Sequence, residues 1–559
     1  MDPSCRRFRS LGPRGLASVG VILACLALAG GLLIQTGFVS SRSGGATTSP
    51  PSVAQAGPST FPSPTPSAAS TPTPTASPTA SPQVYAMPIV PVESFWSVPG
   101  SMDLLALSRL WSGASKTLTA TGAGPLSFHG LAVASRDVDG LSRFFGMRPA
   151  ASVRVLSVDD LKAAVRGDAS ILGLLEADDV TPDVRAMALD DVDLFGSNRL
   201  ADPAAWRLRI ATSAEPAVQS NALWTLAAGG DVNFDRRIYV QAITNHMGPD
   251  YPWLGGNARI SGYECCGWLG ARLVVARSRA NGDEFRSRFA DADLALVNFE
   301  GSAPDDYVYR PNSLVFTFDP ELLVGLKNAG IDLVSLANNH IRNGGDQGVL
   351  DTMTNLDNVG IAHTGAGANL AAADQPGWLS AGGRKIAVLA YSAVGATNWA
   401  TDSRPGATPL TTERVVADIG AARAAGADVV IVMPHWGTEF SYSISAAQRN
   451  QAKAFVAAGA DLILGSHSHW VGGLQALDGT NGTAFVDYSM GDLMFDLNHD
   501  VPAQEAEVVT LTFVGRKLAQ VQIDPTVMIG GYQVGLLNPA TDGKSVLDAI
   551  RTASRGLNW

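Results

Sequence analysis

Between residues 223 and 464 the apolar positions gather into short runs, Leu223–Ala228, Leu294–Asn298, Leu333–Leu336, Ile386–Ala390, Val429–Met433 and Leu462–Leu464, largely without the polar alternation of a half-exposed strand. Runs of this kind predict strands covered on both faces. Between most of them the apolar spacing lengthens to a helical period, over Pro320–Asn328, Gly348–Asn358, Thr412–Ala425 and Ala446–Ala458. Strands alternating with helices of this length predict a layered α/β fold with central β-sheets flanked by helices. Further on, Glu507–Phe513 and Leu518–Ile523 flank Gly515-Arg516-Lys517, the pattern of a terminal hairpin, and Gly543–Ser554 has the pattern of a short amphipathic helix. Upstream, residues 84–215 mix apolar runs such as Ser127–Ala134 with amphipathic stretches such as Met102–Ser112 and Val158–Arg166, which predicts a small α/β domain of unknown role.

The N-terminal pattern is different. Arg6, Arg7, Arg9 and Arg14 precede an uncharged run from Gly15 to Val39, long enough for a helix of about 20 residues to cross a hydrocarbon core. Residues 1–14 are therefore expected in the cytoplasm and 15–39 as a transmembrane signal anchor, by the bias of basic residues toward the inner side. A cleaved signal peptide is the alternative, but the run exceeds the usual apolar core of about 7–15 residues. Residues 40–83 are almost entirely Ser, Thr, Pro, Ala and Gly, too poor in apolar side chains to fold, and read as a disordered stalk. The expected order is then anchor, stalk, the α/β domain at 84–215, a larger domain at 221–530 and a C-terminal tail at 531–559 with a short helix. The folded parts are then expected outside a cell membrane crossed once.

The 559-residue chain has a formal net charge of -11 with no basic cluster on its folded part, which argues against a nucleic-acid partner. Four cysteines fit neither a tetrathiolate site nor a disulfide framework, and adjacent Cys265 and Cys266 are expected as unpaired thiols because a vicinal bridge is strained.

Candidate chemistry lies immediately after the apolar runs. They lead into Gly229-Gly230-Asp231-Val232-Asn233, Asn298-Phe299-Glu300, Ser335-Leu336-Ala337-Asn338-Asn339-His340, Pro434-His435-Trp436-Gly437-Thr438-Glu439 and Gly465-Ser466-His467-Ser468-His469. The carboxyl ends of strands in a layered α/β fold share one edge, where ligands bind. Four of the eight histidines, His340, His435, His467 and His469, occupy these positions. Imidazole with carboxylate and amide oxygen suits manganese, iron or zinc better than calcium. On an extended segment His467 and His469 would point the same way and address one cluster.

In this order the motifs, with Tyr488-Ser489-Met490-Gly491, resemble the CapA family of capsule (poly-γ-glutamate) biosynthesis proteins, itself similar to calcineurin-like metallophosphoesterases. The resemblance covers Leu223 to about Asp496. It implies a metallophosphoesterase-like fold holding two divalent metal ions, one on Asp231 and His469, the second on Asn339, His435 and His467, with Glu300 bridging. His340 would donate a proton to a leaving group and Arg236 would hold an anionic substrate. Asn233 and Glu300 depart from the wider phosphoesterase pattern, which has a histidine and an aspartate there, and Asp492 reads as an orienting carboxylate or an exposed turn residue. The implied function is a metal-dependent hydrolase acting on an anionic capsule polymer or its phosphorylated precursor, alongside membrane subunits of a synthesis and export complex. The alternatives are a non-catalytic, polymer-binding member of such a complex and a surface phosphatase unrelated to capsule.

Overall fold

The apolar runs form the inner strands of two facing sheets. The computed structural model describes residues 83–122, 126–265, 270–277, 281–311, 314–557 and 559. The first sheet has nine strands in the order Arg272–Arg277, Asn257–Glu264, Gln533–Leu537, Lys517–Ile529, Glu505–Val514, Leu223–Val232, Leu294–Phe299, Leu333–Ser335 and Ala362–Thr364. The second has six, Gly377–Ala381, Arg384–Ser392, Val429–His435, Leu462–Leu464, Gly482–Asp487 and Leu474–Gly479. The four strands from Leu223–Val232 to Ala362–Thr364 run parallel, as do the four from Arg384–Ser392 to Gly482–Asp487. Each sheet therefore gathers its strand carboxyl ends along one edge.

The period of two along each strand explains the layering. Leu226, Ala228 and Leu296 of the first sheet share a core with Ile386, Val388, Ile431 and Leu462 of the second. Their neighbours Ala227, Ala295, Val297 and Val334 turn outward onto Phe285, Phe289, Leu323, Leu326, Val349 and Leu356 of the helices Glu284–Ala290, Leu322–Asn328 and Gly345–Val359. On the far side Leu389, Val430, Val432 and Ile463 pack against Val415, Ile419, Ala452 and Phe455 of helices Thr412–Ala424 and Ala446–Ala458. Helix, sheet, sheet, helix is the resulting order of layers. Full burial of each such aliphatic side chain contributes about 1.5–3 kcal/mol, so both faces of both sheets hold the sandwich shut.

The first sheet continues beyond residue 530, where the apolar pattern predicts only a tail. Gln533–Leu537 pairs with Lys517–Ile529, and Val546 and Ile550 of the following helix, Lys544–Ala553, are buried in the inner core. The ribbon of Asn257–Glu264 and Arg272–Arg277 is likewise invisible in the sequence pattern, because most of its side chains are exposed or half-buried. Cys265 is disulfide-bonded, which corrects the expectation of an unpaired thiol there.

Residues 85–212 form their own sheet, ordered Arg209–Thr212, Tyr85–Ser94, Ile171–Glu176, Gly130–Ala134 and Arg154–Leu156. It docks on the hairpin 505–529: Lys517 Nζ donates to the Asp178 carbonyl at 2.7 Å, and the amides of Ala186 and Gly196 donate to Gln520 Oε1 and Thr512 Oγ1, both at 2.9 Å. These residues belong to one compact unit, Pro82–Trp559. Among the described residues no helix is long and apolar enough to cross a membrane; the expected anchor at 15–39 and the stalk to residue 82 lie outside them.

One glycine sets the spacing at the head of the site. A Cβ on Gly230 would lie 1.9 Å from the Gly491 carbonyl, because the segment 491–494 runs directly against the strand end, with Asp231 N donating to Gly491 O at 3.0 Å and Met494 N to Asp231 O at 3.0 Å. Gly230→Ala must push two backbones apart. It is expected to destabilise the fold by at least about 3 kcal/mol, read as a lowered denaturant midpoint.

Candidate metal centre

Where the two sheet edges meet, the six carried-over side chains converge. Asp231 ends Leu223–Val232, Glu300 follows Leu294–Phe299, and Asn339 follows Leu333–Ser335 of the first sheet; His435 ends Val429–His435, and His467 and His469 follow Leu462–Leu464 of the second. Ligand atoms of Glu300, His435 and His467 lie within 4.8 Å of one another, and those of Asp231, His469 and Asp492 form a second such group. Asn339 joins the first group, its Oδ1 2.8 Å from His435 Nε2.

Neighbours fix these side chains. Asp231 accepts from Asn298 Nδ2 at 2.7 Å and from the His467 amide at 3.1 Å. His435 Nδ1 lies 2.9 Å from Ser466 Oγ, which leaves Nε2 directed at Asn339 and, at 3.7 Å, at Glu300 Oε1. His469 Nδ1 lies 2.9 Å from Asp492 Oδ1 and 3.9 Å from Asp231 Oδ2. The loop holding the last two histidines is not extended: φ is 93° at His467 and 60° at His469. Left-handed backbone at a non-glycine residue is strained and tends to persist where a site requires it. Here it sends His467 to the Glu300 group and His469 to the Asp231 group, the two rings 6.1 Å apart, and it is the extended backbone expected for this segment that the structure corrects.

The electrostatics call for cations. Glu300 is fully buried and neither carboxylate oxygen has a hydrogen-bond partner; His467 Nδ1 and Asp492 Oδ2 are also buried and unpartnered. Burial, then the proximity of Asp231, raises the Glu300 carboxyl well above its ordinary range, and burial raises Asp231. Burial pushes Asp492 up to about 7 against the pull of His469, pulls His467 down to about 3, and lowers His435 well below the usual imidazole range with help from His467. Burial alone would depress His469 too, but Asp492, Glu300 and Asp231 together hold it at about 10. Neutral imidazoles facing crowded carboxylates with unused lone pairs are a donor set for divalent metal, so the residues present fit the ions implied by the motifs.

These shifts have a sign that can be measured. Glu300 and Asp492, with folded values raised above the unfolded ones, and His469, raised from 6.5 to about 10, all bind protons more tightly when folded. Their contribution is complete at low pH and is lost as pH rises, through about 7 for Asp492 and toward 10 for His469. The depressed His435 and His467 act oppositely, but only below about 6.5. The chelated chain should therefore lose Tm from pH 6.5 to 8, and the gap between manganese-loaded and chelated samples should widen over that range. A constant gap would contradict this.

His340 and Arg236 line the approach. His340 Nδ1 lies 2.9 Å from Asn343 Oδ1, which also accepts the Phe316 amide at 2.7 Å, so Nδ1 carries the proton and Nε2, 3.8 Å from Glu300 Oε1, is the exchangeable position. Burial lowers His340 to about 4. Phe316, which no sequence motif marks, packs on the His340 ring at 4.3 Å and under the Arg236 guanidinium at 5.4 Å. Arg236 Nε and Nη2 are buried without hydrogen-bond partners, the nearest carboxylate being Asp496 at 3.8 Å. Phe440, at φ 54°, stacks on His469 at 5.2 Å and closes the opposite side. Trp436 is core, its Nε1 donating to the Tyr488 carbonyl at 3.0 Å, and Glu439 is exposed. Asn298 fixes a ligand through its hydrogen bond to Asp231; Asp492 is buried in the centre and not an exposed turn residue.

Residues 225–497 match the model of the family described as bacterial capsule synthesis protein PGA_cap. The capsule biosynthesis protein CapA of Bacillus anthracis is 27% identical over 301 residues, covering 52% of this chain and 65% of that protein. The PGA biosynthesis protein CapA of Bacillus subtilis is 30% identical over 212 residues, covering 37% of this chain and 54% of that protein. The chain thus spans between about half and two thirds of these curated relatives. Among solved structures, the calcineurin-like phosphoesterase YfkN from Bacillus subtilis aligns with 59% of this chain and 99% of its own, at 13% identity and a TM-score of 0.29.

Proposed function

Because residues 225–497 match the bacterial capsule synthesis protein family PGA_cap, we propose that this chain is a metal-dependent hydrolase of phosphoesterase type. It acts outside the cell membrane on an anionic capsule polymer, poly-γ-glutamate, or its phosphorylated precursor. The observation that carries this reading is the fully buried Glu300, both oxygens unpartnered, between the imidazoles of His340 from its own sheet and His435 from the opposing one. Asp231 and His469 would hold one divalent ion, and Asn339, His435 and His467 the other, with Glu300 between them. Two such ions supply charge neutralisation at the attacking and leaving oxygens of a displacement at phosphorus or a comparable centre. Manganese, iron and zinc all suit the donors.

The chain's own residues supply the remainder. Arg236 offers the unpartnered N–H groups of Nε and Nη2, enough to bind an anionic oxygen, and its stacking on Phe316 keeps the guanidinium from folding away. His340, anchored through Nδ1, exchanges a proton at Nε2. Because burial holds it neutral, it becomes an acid only once an anionic substrate beside it draws the proton on. Phe316 and Phe440 keep water from the ligand rings. Anchoring through residues 15–39 would place this site beside the membrane subunits of a synthesis and export complex.

The test is turnover of phosphomonoester, phosphodiester and poly-γ-glutamate substrates by the purified chain with manganese, iron or zinc. Hydrolysis abolished by chelation and restored by metal is expected. Full metal occupancy with polymer bound and no turnover on any substrate would overturn the hydrolase and leave the binding component.

A further inference from the structure

Resting on the two-metal reading above, we infer that Asp492 is a direct ligand of the ion held by Asp231 and His469, filling the coordination position that Asn233 leaves vacant. Asn233 stands two residues after Asp231, where a histidine would complete the first ion's shell. Its side chain is already engaged: Nδ2 donates to the Glu300 carbonyl at 3.2 Å and Oδ1 accepts the Asp235 amide at 3.0 Å, in full burial. The first motif therefore contributes a single ligand, and the site needs another donor.

Asp492 reaches it from a different part of the chain. The segment 491–494 is laid against the strand end by Asp231 N to Gly491 O, Met494 N to Asp231 O and Asn233 N to Met494 O, an approach that only the glycine at 230 permits. The Asp492 side chain is fully buried, with Oδ1 2.9 Å from His469 Nδ1, Oδ2 unpartnered, and its ligand atom within 4.8 Å of those of both Asp231 and His469. Were Asp492 only steering the imidazole, Oδ1 would suffice and Oδ2 would stay buried and unsatisfied, an arrangement native proteins avoid. A cation on Oδ2 removes the conflict.

The consequence is an unequal pair. Two carboxylates and one imidazole make the Asp231 site the harder one, suited to manganese or magnesium, whereas Glu300, two imidazoles and an amide make the other the more zinc-like. Three carboxylates against two dications also leave a net positive centre, which favours an anionic substrate.

Manganese titration of the metal-free chain by calorimetry and electron paramagnetic resonance tests this, comparing the unmodified chain with Asp492→Asn and Asp492→Ala. Two ions are expected for the unmodified chain and one for Asp492→Ala. Asp492→Asn should keep two, one class weakened by at least about tenfold and the other unchanged. Because an amide oxygen accepts the His469 proton as well as a carboxylate does, unchanged affinity of both classes in Asp492→Asn would overturn the inference. Fewer than two ions on the unmodified chain would overturn the two-metal premise itself. If a variant does not fold, anomalous scattering from manganese in crystals of the unmodified chain decides: an ion at about 2.2 Å from an Asp492 oxygen supports direct ligation, and one beyond about 3.5 Å overturns it.

Discussion

Replacing His435 by alanine is expected to take the chain from two bound ions to one and to abolish metal-dependent hydrolysis. His435 is wholly buried, and its Nε2 faces Asn339 Oδ1 and Glu300 Oε1, so it stands at the centre of the group formed by Glu300, Asn339, His435 and His467. Loss even of residues that only orient a ligand lowers metal affinity about 10–100-fold, and loss of the ligand should exceed that. The metal-free fold should suffer much less than this, since burial already keeps the ring neutral and what is removed is one imidazole with its contacts to Ser466, Asn298 and Asn339. Metal content and hydrolysis should fall together while the chelated Tm moves by a few degrees. A variant that retains both ions would place the second site elsewhere.

Glu300→Gln is expected to act in opposite directions on the two states. In the chelated chain the carboxyl is buried with both oxygens unpartnered and its pKa raised, first by burial and then by Asp231. A glutamine of the same shape carries no charge, and it can donate toward the unprotonated Nε2 of His340, 3.8 Å from Glu300 Oε1, or accept from His435 Nε2, at 3.7 Å. The gain is about 1–2 kcal/mol, and because the folded acid binds its proton more tightly than the unfolded one, the advantage grows as pH rises above its unfolded value near 4.5. With metal the order reverses. Saturation at 100 times Kd stabilises the unmodified chain by about 2.7 kcal/mol per ion, and a variant lacking the charged bridge should lose most of it. Paired thermal scans with chelator and with manganese check both signs; a variant less stable than the parent in chelator would mean that Glu300 is held by something other than a cation. Stability traded for function at a strained, charged centre is a familiar pattern.

The sandwich was legible because its inner strands are apolar on both faces: Leu226 and Ala227 point to different layers, yet both are buried, so Leu223–Ala228 reads as an unbroken run. The ribbon 257–277 was not, because its side chains lie mostly at the surface and leave no period to read. For the candidate site, placement after parallel strands was enough to gather Asp231, Glu300, Asn339 and His435, whose positions follow directly from strand ends. The two later histidines converge for a different reason, since their aim depends on left-handed backbone at His467 and His469 that a period of two cannot foresee. Asp492 stands five residues beyond the buried strand Gly482–Asp487 and not at its end, and its placement depends on two glycines, Gly230 and Gly491, meeting across chain segments some 260 residues apart. Close backbone approach of this kind leaves only the glycines themselves as a trace in the sequence.

Counting metal on the unmodified chain bears most directly on the central claim. After equilibrium dialysis against micromolar manganese and removal of free ion, elemental analysis should find two ions per chain. Finding none, while the same preparation melts cooperatively, would mean that the buried carboxylates and imidazoles are held together without cations.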